Sequence, residues 1–164
     1  MGHISLTGHP IPPMSIAVLI ADDHELVRAG LRGVLERSGF WITAEASTPL
    51  ETVTYAAGPS VQVVLLDLSW ASCTNAARDE GLKLLRTIRS AHPSLPVLMY
   101  SVEAGSEWIE RCRRAGASGY LIKGVDEAVL AWAVRAVHAG GEIWPGSRNL
   151  RLRRSMSVAR TVWR

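Results

Sequence analysis

Short apolar runs separated by amphipathic stretches dominate the chain. The runs are Ile16 to Ala21, Phe40 to Ala46, Val61 to Leu66, Pro96 to Ser101 and Gly119 to Ile122, each the length of a buried strand and too short for a helix. Between them apolar residues recur at helical spacing. Leu26, Val27, Leu31, Val34 and Leu35 share one face of a helix that follows Asp22-Asp23 and stops at Gly39. Thr48-Pro49-Leu50-Glu51 has capping-box spacing with proline at the first helical position, so a helix should run to Ala57 before Gly58-Pro59 ends it. A third helix is expected from Glu80 to about Ala91, with Leu82, Leu85 and Ile88 inward. A fourth, from Gly105 to Ala115, turns Trp108, Ile109 and Cys112 to the sheet. Asp126 should cap a fifth, whose apolar face is Val129, Leu130, Ala133, Val134 and Val137 and which closes at Gly140-Gly141. Strands alternating with helices through short links imply right-handed crossovers. The expected fold is therefore α/β, a doubly wound five-stranded parallel sheet with helices on both faces.

Composition adds boundaries. With 164 residues and 48% hydrophobic content the chain has room for one ordinary core plus tails. Residues 1–13, rich in Gly, Pro and His, are expected to form a disordered extension, and Met14 is an alternative start. The longest apolar run falls far short of the ~20 residues of a membrane span, and the amino terminus lacks the pattern of a signal peptide. A cytoplasmic protein with no membrane contact is expected. Cys73 and Cys112 form neither a disulfide framework nor a metal spacing, so both should be reduced thiols. The formal charge of +3 is unevenly placed: six of the eighteen basic residues lie from Arg148 onward with no acid, leaving twelve basic against fifteen acidic side chains before it. Residues 148–164 read as a basic, solvated tail rather than a reader of nucleic acid.

Chemistry gathers at the ends of the strands. Asp22-Asp23 ends the first run, Asp67 the third, Ser101 the fourth, and Lys123 follows the fifth. In an open parallel sheet the carboxyl ends of the strands border the ligand crevice, so three carboxylates, a hydroxyl and an ammonium should converge there. Three close carboxylates need a counter-cation, and hard oxygen donors suit Mg²⁺. If one carboxylate attacks a phosphoryl donor, a metal, an ammonium and a hydroxyl can neutralise the transferring group. That inventory fits phosphoryl transfer to Asp67. His24 beside the acidic pair reads as a surface residue at a helix start, since magnesium prefers oxygen.

The stretches Ala21 to Leu31, Leu65-Leu66-Asp67-Leu68, Met99-Tyr100-Ser101 and Gly119 to Gly124 resemble the receiver domain of two-component response regulators. The resemblance covers about 14–147, and the wording around Asp22 and Gly140-Gly141 is most similar to the NarL/LuxR branch. It implies the flavodoxin-like receiver fold. It further implies Asp67 as phosphoacceptor, Asp23 as direct Mg²⁺ ligand, Asp22 acting mainly through bound water, and Ser69 lending its backbone carbonyl to the metal. Ser101 matches the switch hydroxyl, Lys123 the residue that pairs with the phosphoryl group, and Tyr120 the aromatic whose rotamer reports the change. The implied partners are a sensor histidine kinase or phosphotransfer protein, and a second copy docking on the face of helix 105–115, strand 119–122 and helix 126–138. The implied role is a signalling switch, not an enzyme.

Two departures modify this picture. No Met-Pro follows Asp67, and by the family's loop length about six extra residues are expected before Gly81, the glycine that matches the family's helix start. This lengthened loop is expected to sample several conformations, with Trp70 either capping the site or fixing the loop to the surface; Val102 after the hydroxyl is also bulky. The seventeen residues after Ser147 are too few for the branch's helix-turn-helix of roughly 60 residues, so specific DNA binding is not expected. The rivals are a degenerate receiver acting as a phosphorylation-independent interaction module, and an aspartyl-phosphate phosphatase. The latter needs a second acid where this chain has Ser69.

Overall fold

Five strands, β1 (Ala17–Ala21), β2 (Trp41–Ala46), β3 (Val63–Leu66), β4 (Val97–Ser101) and β5 (Gly119–Ile122), pair in parallel in the order β2-β1-β3-β4-β5. The structure is a computed structural model and describes residues 15–70 and 74–146. The expected extension at 1–13, the thiol Cys73 and the basic tail at 148–164 lie outside the described residues. The helices are α1 (Glu25–Arg37), α2 (Pro49–Ala56), α3 (Asn75–Ala91), α4 (Ser106–Arg114) and α5 (Glu127–His138). Among the described residues no helix is long and apolar enough to cross a membrane.

Alternation along the strands divides the core in two. Val18, Ile20, Val63, Leu65, Leu98 and Leu121 point to the face covered by α1 and α5. Leu19, Ala21, Val64, Leu66, Met99 and Tyr120 point to the face covered by α2, α3 and α4. Both faces are apolar because a parallel sheet is sandwiched by its own crossover helices. Buried Cys112 belongs to the second face, and burial pushes its thiol up to about 12, so it is chemically inert there.

The local signals act largely as their spacing implies. Thr48 Oγ accepts from Glu51 N at 3.1 Å, while the Glu51 carboxylate reaches back one residue beyond the usual box to Ser47 N, 2.7 Å. Asp126 occupies the N-cap of α5 but makes no side-chain capping bond.

Three expectations are corrected. The third helix begins at Asn75, not near Glu80, because Thr74 caps it by accepting from Ala77 N at 3.2 Å. The extra residues before Gly81 are thus largely helix rather than loop. Trp70 neither caps the site from solvent nor fixes the loop to the surface; it is buried in the core, and its indole N–H donates to the Asp67 carbonyl at 3.2 Å. Leu26 is 88% exposed and Val129 39%, each in the first turn of its helix, whereas Leu130 beside Val129 is buried. Trp132 is also largely exposed on α5, at 42%.

Gly81 is where α3 meets the backbone that follows β3. A Cβ there would lie 2.0 Å from the Leu68 carbonyl oxygen, whereas at Gly30, exposed on α1, it would meet nothing within 4 Å. Gly81→Ala should therefore destabilise the protein by about 3 kcal/mol through backbone overpacking, and Gly30→Ala should stabilise it by about 0.5 kcal/mol. Urea unfolding of the two variants checks the opposite signs.

Candidate functional site

Backbone bonds carry the ladder one residue past the central strands and thereby fix the acids. Asp67 N donates to the Ala21 carbonyl at 2.9 Å, Asp22 N to Ala46 at 3.1 Å and Lys123 N to Ser101 at 2.8 Å. Since Ala21 is in register with Leu66, Asp22 and Asp67 emerge side by side between strands whose connections run to opposite faces. This is the topological switch point of the sheet.

Lys123 lies across both acids, its Nζ 2.6 Å from Asp22 Oδ2 and 3.0 Å from Asp67 Oδ2. Asp22 and Asp67 are buried. The other oxygen of Asp22 accepts from His24 N at 2.8 Å, and that of Asp67 from Leu68 N at 2.7 Å. Asp23 is the more accessible acid, with His24 Nδ1 2.9 Å from its Oδ1. His24 is the N-cap residue of α1 and exposed, as expected, yet it leans on the acid cluster.

Burial raises the Asp67 pKa above the ordinary carboxylate value, and the Asp22 charge adds to this; the Lys123 ammonium opposes both and does not prevail. Burial also works against the ammonium, but its hydrogen bond to Asp22 and the two carboxylate charges outweigh that and hold the Lys123 pKa above normal. One ammonium serves two carboxylates, and at Asp67 burial outweighs its pull. Asp22, Asp23, His24 and Asp67 each place a ligand atom so that all lie within 4.8 Å of one another. One ammonium faces three aspartates, and full ionisation of the three would leave the cluster short of positive charge. A divalent cation with oxygen preference fits that deficit and that donor set.

Ser101 is buried at the end of β4, and its Oγ accepts from Glu103 N at 3.2 Å. Tyr120 is buried beside it and donates its hydroxyl to the Glu103 carbonyl at 2.8 Å. Burial holds its phenol well above the ordinary value, offset in part by a hydrogen bond with Ser101. Ser69 is buried after β3, its hydroxyl without a hydrogen-bond partner among the described residues. The fold thus brings together Asp22, Asp67 and Lys123 in direct contact, with Asp23 beside them and Ser101 and Tyr120 joined through Glu103. Sequence reasoning missed Glu103, since an acid two residues past a strand end has no signature of its own.

The sequence profile of the family described as response regulator receiver domain matches residues 18–135. The response regulator UvrY of Escherichia coli is 35% identical over 126 residues, which cover 76% of this chain and 55% of the relative. The nitrate/nitrite response regulator protein NarP of Escherichia coli is 32% identical over 137 residues, covering 83% and 61%. A crystal structure of a LuxR-family two-component response regulator from an Aurantimonas species superposes with a TM-score of 0.69 at 28% identity, covering 79% of this chain and 89% of that one. The chain spans about half the length of the first of these curated relatives.

The charge deficit fixes the sign of a pH effect. Asp67 has a folded pKa above its unfolded 3.8, so its ionisation costs the native state stability as pH rises through that interval, and the cost persists above it. In chelator-containing buffer, Asp67→Asn should be more stable than wild type near neutrality, with the gap closing below about pH 4. Lys123→Met, which strands the acids, should instead lose about 3 kcal/mol at neutrality. Urea titrations from pH 3 to 8 compare the three proteins.

Proposed function

The chain belongs to the response regulator receiver domain family, in its NarL/LuxR branch, and we propose that it is a phosphoacceptor switch of a two-component phosphorelay, loaded at Asp67. The observation that carries this reading is the Lys123 ammonium bridging Asp22 and Asp67 at the strand ends. An Asp67 carboxylate oxygen attacks the phosphorus of a phosphohistidine or small phosphoramidate. The P–N bond breaks, the leaving nitrogen takes a proton, and an acyl phosphate forms. Lys123 stays within reach of the added charge, and Ser101 is the hydroxyl drawn toward it, with the Tyr120 ring following.

Asp23, Asp67, the Ser69 carbonyl and, through water, Asp22 would hold Mg²⁺, which would supply charge neutralisation for the phosphoryl oxygens. The indirect role of Asp22 is the one that the family resemblance implies. Asp23 is the less buried acid and suits direct ligation. The donor is a sensor histidine kinase or phosphotransfer protein. A second copy of the chain is the candidate partner for the face of α4, β5 and α5, where Trp132 and Val129 are exposed. The protein acts by changing partners, with no substrate turnover beyond its own phosphorylation and hydrolysis.

Incubation with phosphoramidate and Mg²⁺ should add about 80 Da to the intact protein, and the adduct should be absent in Asp67→Asn. Asp23→Ala should abolish Mg²⁺ binding, while Asp22→Ala should weaken it about tenfold. Intact-mass spectrometry and metal titration provide the readouts. An unchanged mass in the wild type would mean that the chain works as a phosphorylation-independent interaction module.

A further inference from the structure

Glu103 lies in the connection between β4 and α4, and four of its atoms have distinct tasks. Its N–H donates to Ser101 Oγ and its carbonyl accepts from Tyr120, as described above. Its Oε1 accepts from Gly105 N at 2.7 Å, and its Oε2 pairs with an Arg78 terminal nitrogen at 2.7 Å. One residue thus joins the hydroxyl at the site, the buried aromatic and helix α3.

Arg78 comes from the part of α3 that precedes Gly81. Its other terminal nitrogen donates to Asn75 Oδ1 at 3.0 Å, tying it to its own helix start. The neighbouring Asp79 pairs with Arg111 of α4. Arg111 in turn lies over the Trp108 ring at 4.1 Å, with Arg78 5.8 Å from the same ring. The Arg78 and Glu103 side chains are only 16% and 19% exposed. A pair so shielded escapes most of the screening that makes surface ion pairs weak. Trp108 blocks one approach of water, and the rigid guanidinium plane limits the entropy lost in holding the contact.

We infer that Arg78 is a positioning residue of the switch: from the start of α3 it fixes Glu103, and through Glu103 the loop that ties Ser101 to buried Tyr120. The consequence for switching rests on the phosphoryl reading proposed above, but the contact and its effect on the loop do not. With Glu103 held, the arrangement with Tyr120 inside is favoured before any phosphoryl group arrives. The loaded state then has less loop ordering to supply, and the affinity for a phosphoryl analogue is correspondingly higher.

The test uses the full chain and two variants that reach Glu103 from opposite sides. Arg78→Ala removes the pair. Gly105→Ala would put a Cβ 2.8 Å from Glu103 Oε1 and push the carboxylate away, at a position whose backbone is ordinary for alanine. Both should speed amide exchange across 102–108 in the unmodified protein while leaving exchange in β1 and β3 unchanged. Both should also weaken beryllofluoride binding with Mg²⁺ by about fivefold, the equivalent of one shielded ion pair near 1 kcal/mol. Arg78→Lys should restore part of each effect, the double variant should add little to either single one, and Arg114→Ala, which breaks only an exposed pair with Glu110, should do neither. Exchange at 102–108 unchanged in both variants overturns the inference, as does beryllofluoride affinity that stays the same or rises. Wild-type protein that takes no beryllofluoride would reject the phosphoryl reading instead, with the exchange measurement still deciding whether Arg78 positions the loop.

Discussion

Lys123 has to serve two buried carboxylates at once, and most of the architecture can be understood as the means of keeping it there. Ionised Asp22 and Asp67 would not stay side by side beneath a hydrophobic sheet edge without compensation, since the energetic penalty for isolated buried charge is severe. Adjacent parallel strands bring them out in register, and the ladder bonds that continue to Asp67 N, Asp22 N and Lys123 N deny each residue the freedom to move apart. The two apolar layers around the sheet supply the stability that such a cluster consumes. Burial raises the Asp67 pKa in spite of Lys123, so the compensation is incomplete and further positive charge would be welcome there.

Much of this was legible in the chain because period-two and period-3.6 patterns are local. Asp22, Asp67, Ser101 and Lys123 could be placed at strand ends from the length of the apolar runs alone, and parallel pairing then brought them together. The capping signal at Thr48 was equally local and equally reliable. Roles within the cluster were not legible from spacing; they came from resemblance to a family, and they remain proposals tied to particular substitutions.

What escaped the reading was decided by tertiary context. Nothing in the stretch after Asp67 distinguishes helix from loop until Thr74 is seen to cap Ala77, and an arginine at 78 looks like any solvated charge until Glu103 meets it from the loop after β4. Trp70 illustrates the same limit. An aromatic in an irregular segment reads as exposed, but here the segment folds inward and the indole satisfies the carbonyl of Asp67 itself. Leu26 and Val129 err in the other direction, because helical spacing identifies a face without showing where its margins lie: Leu130 is buried beside an exposed Val129.

The close contact of Gly81 with Leu68 fixes α3 against the sheet at one point, and the turn and a half ahead of that point is held by contacts of a different kind, the Thr74 cap and the pairs made by Arg78 and Asp79. Residues added ahead of that point leave the packing of Leu82, Leu85 and Ile88 untouched. Each one nevertheless turns everything upstream by about 100° around the helix axis. Length variation in this segment is therefore filtered by phase: whole turns return Arg78 to the side facing Glu103, while single insertions carry it away. Such a helix can acquire or discard a contact with the switch loop over evolutionary time without renegotiating the core.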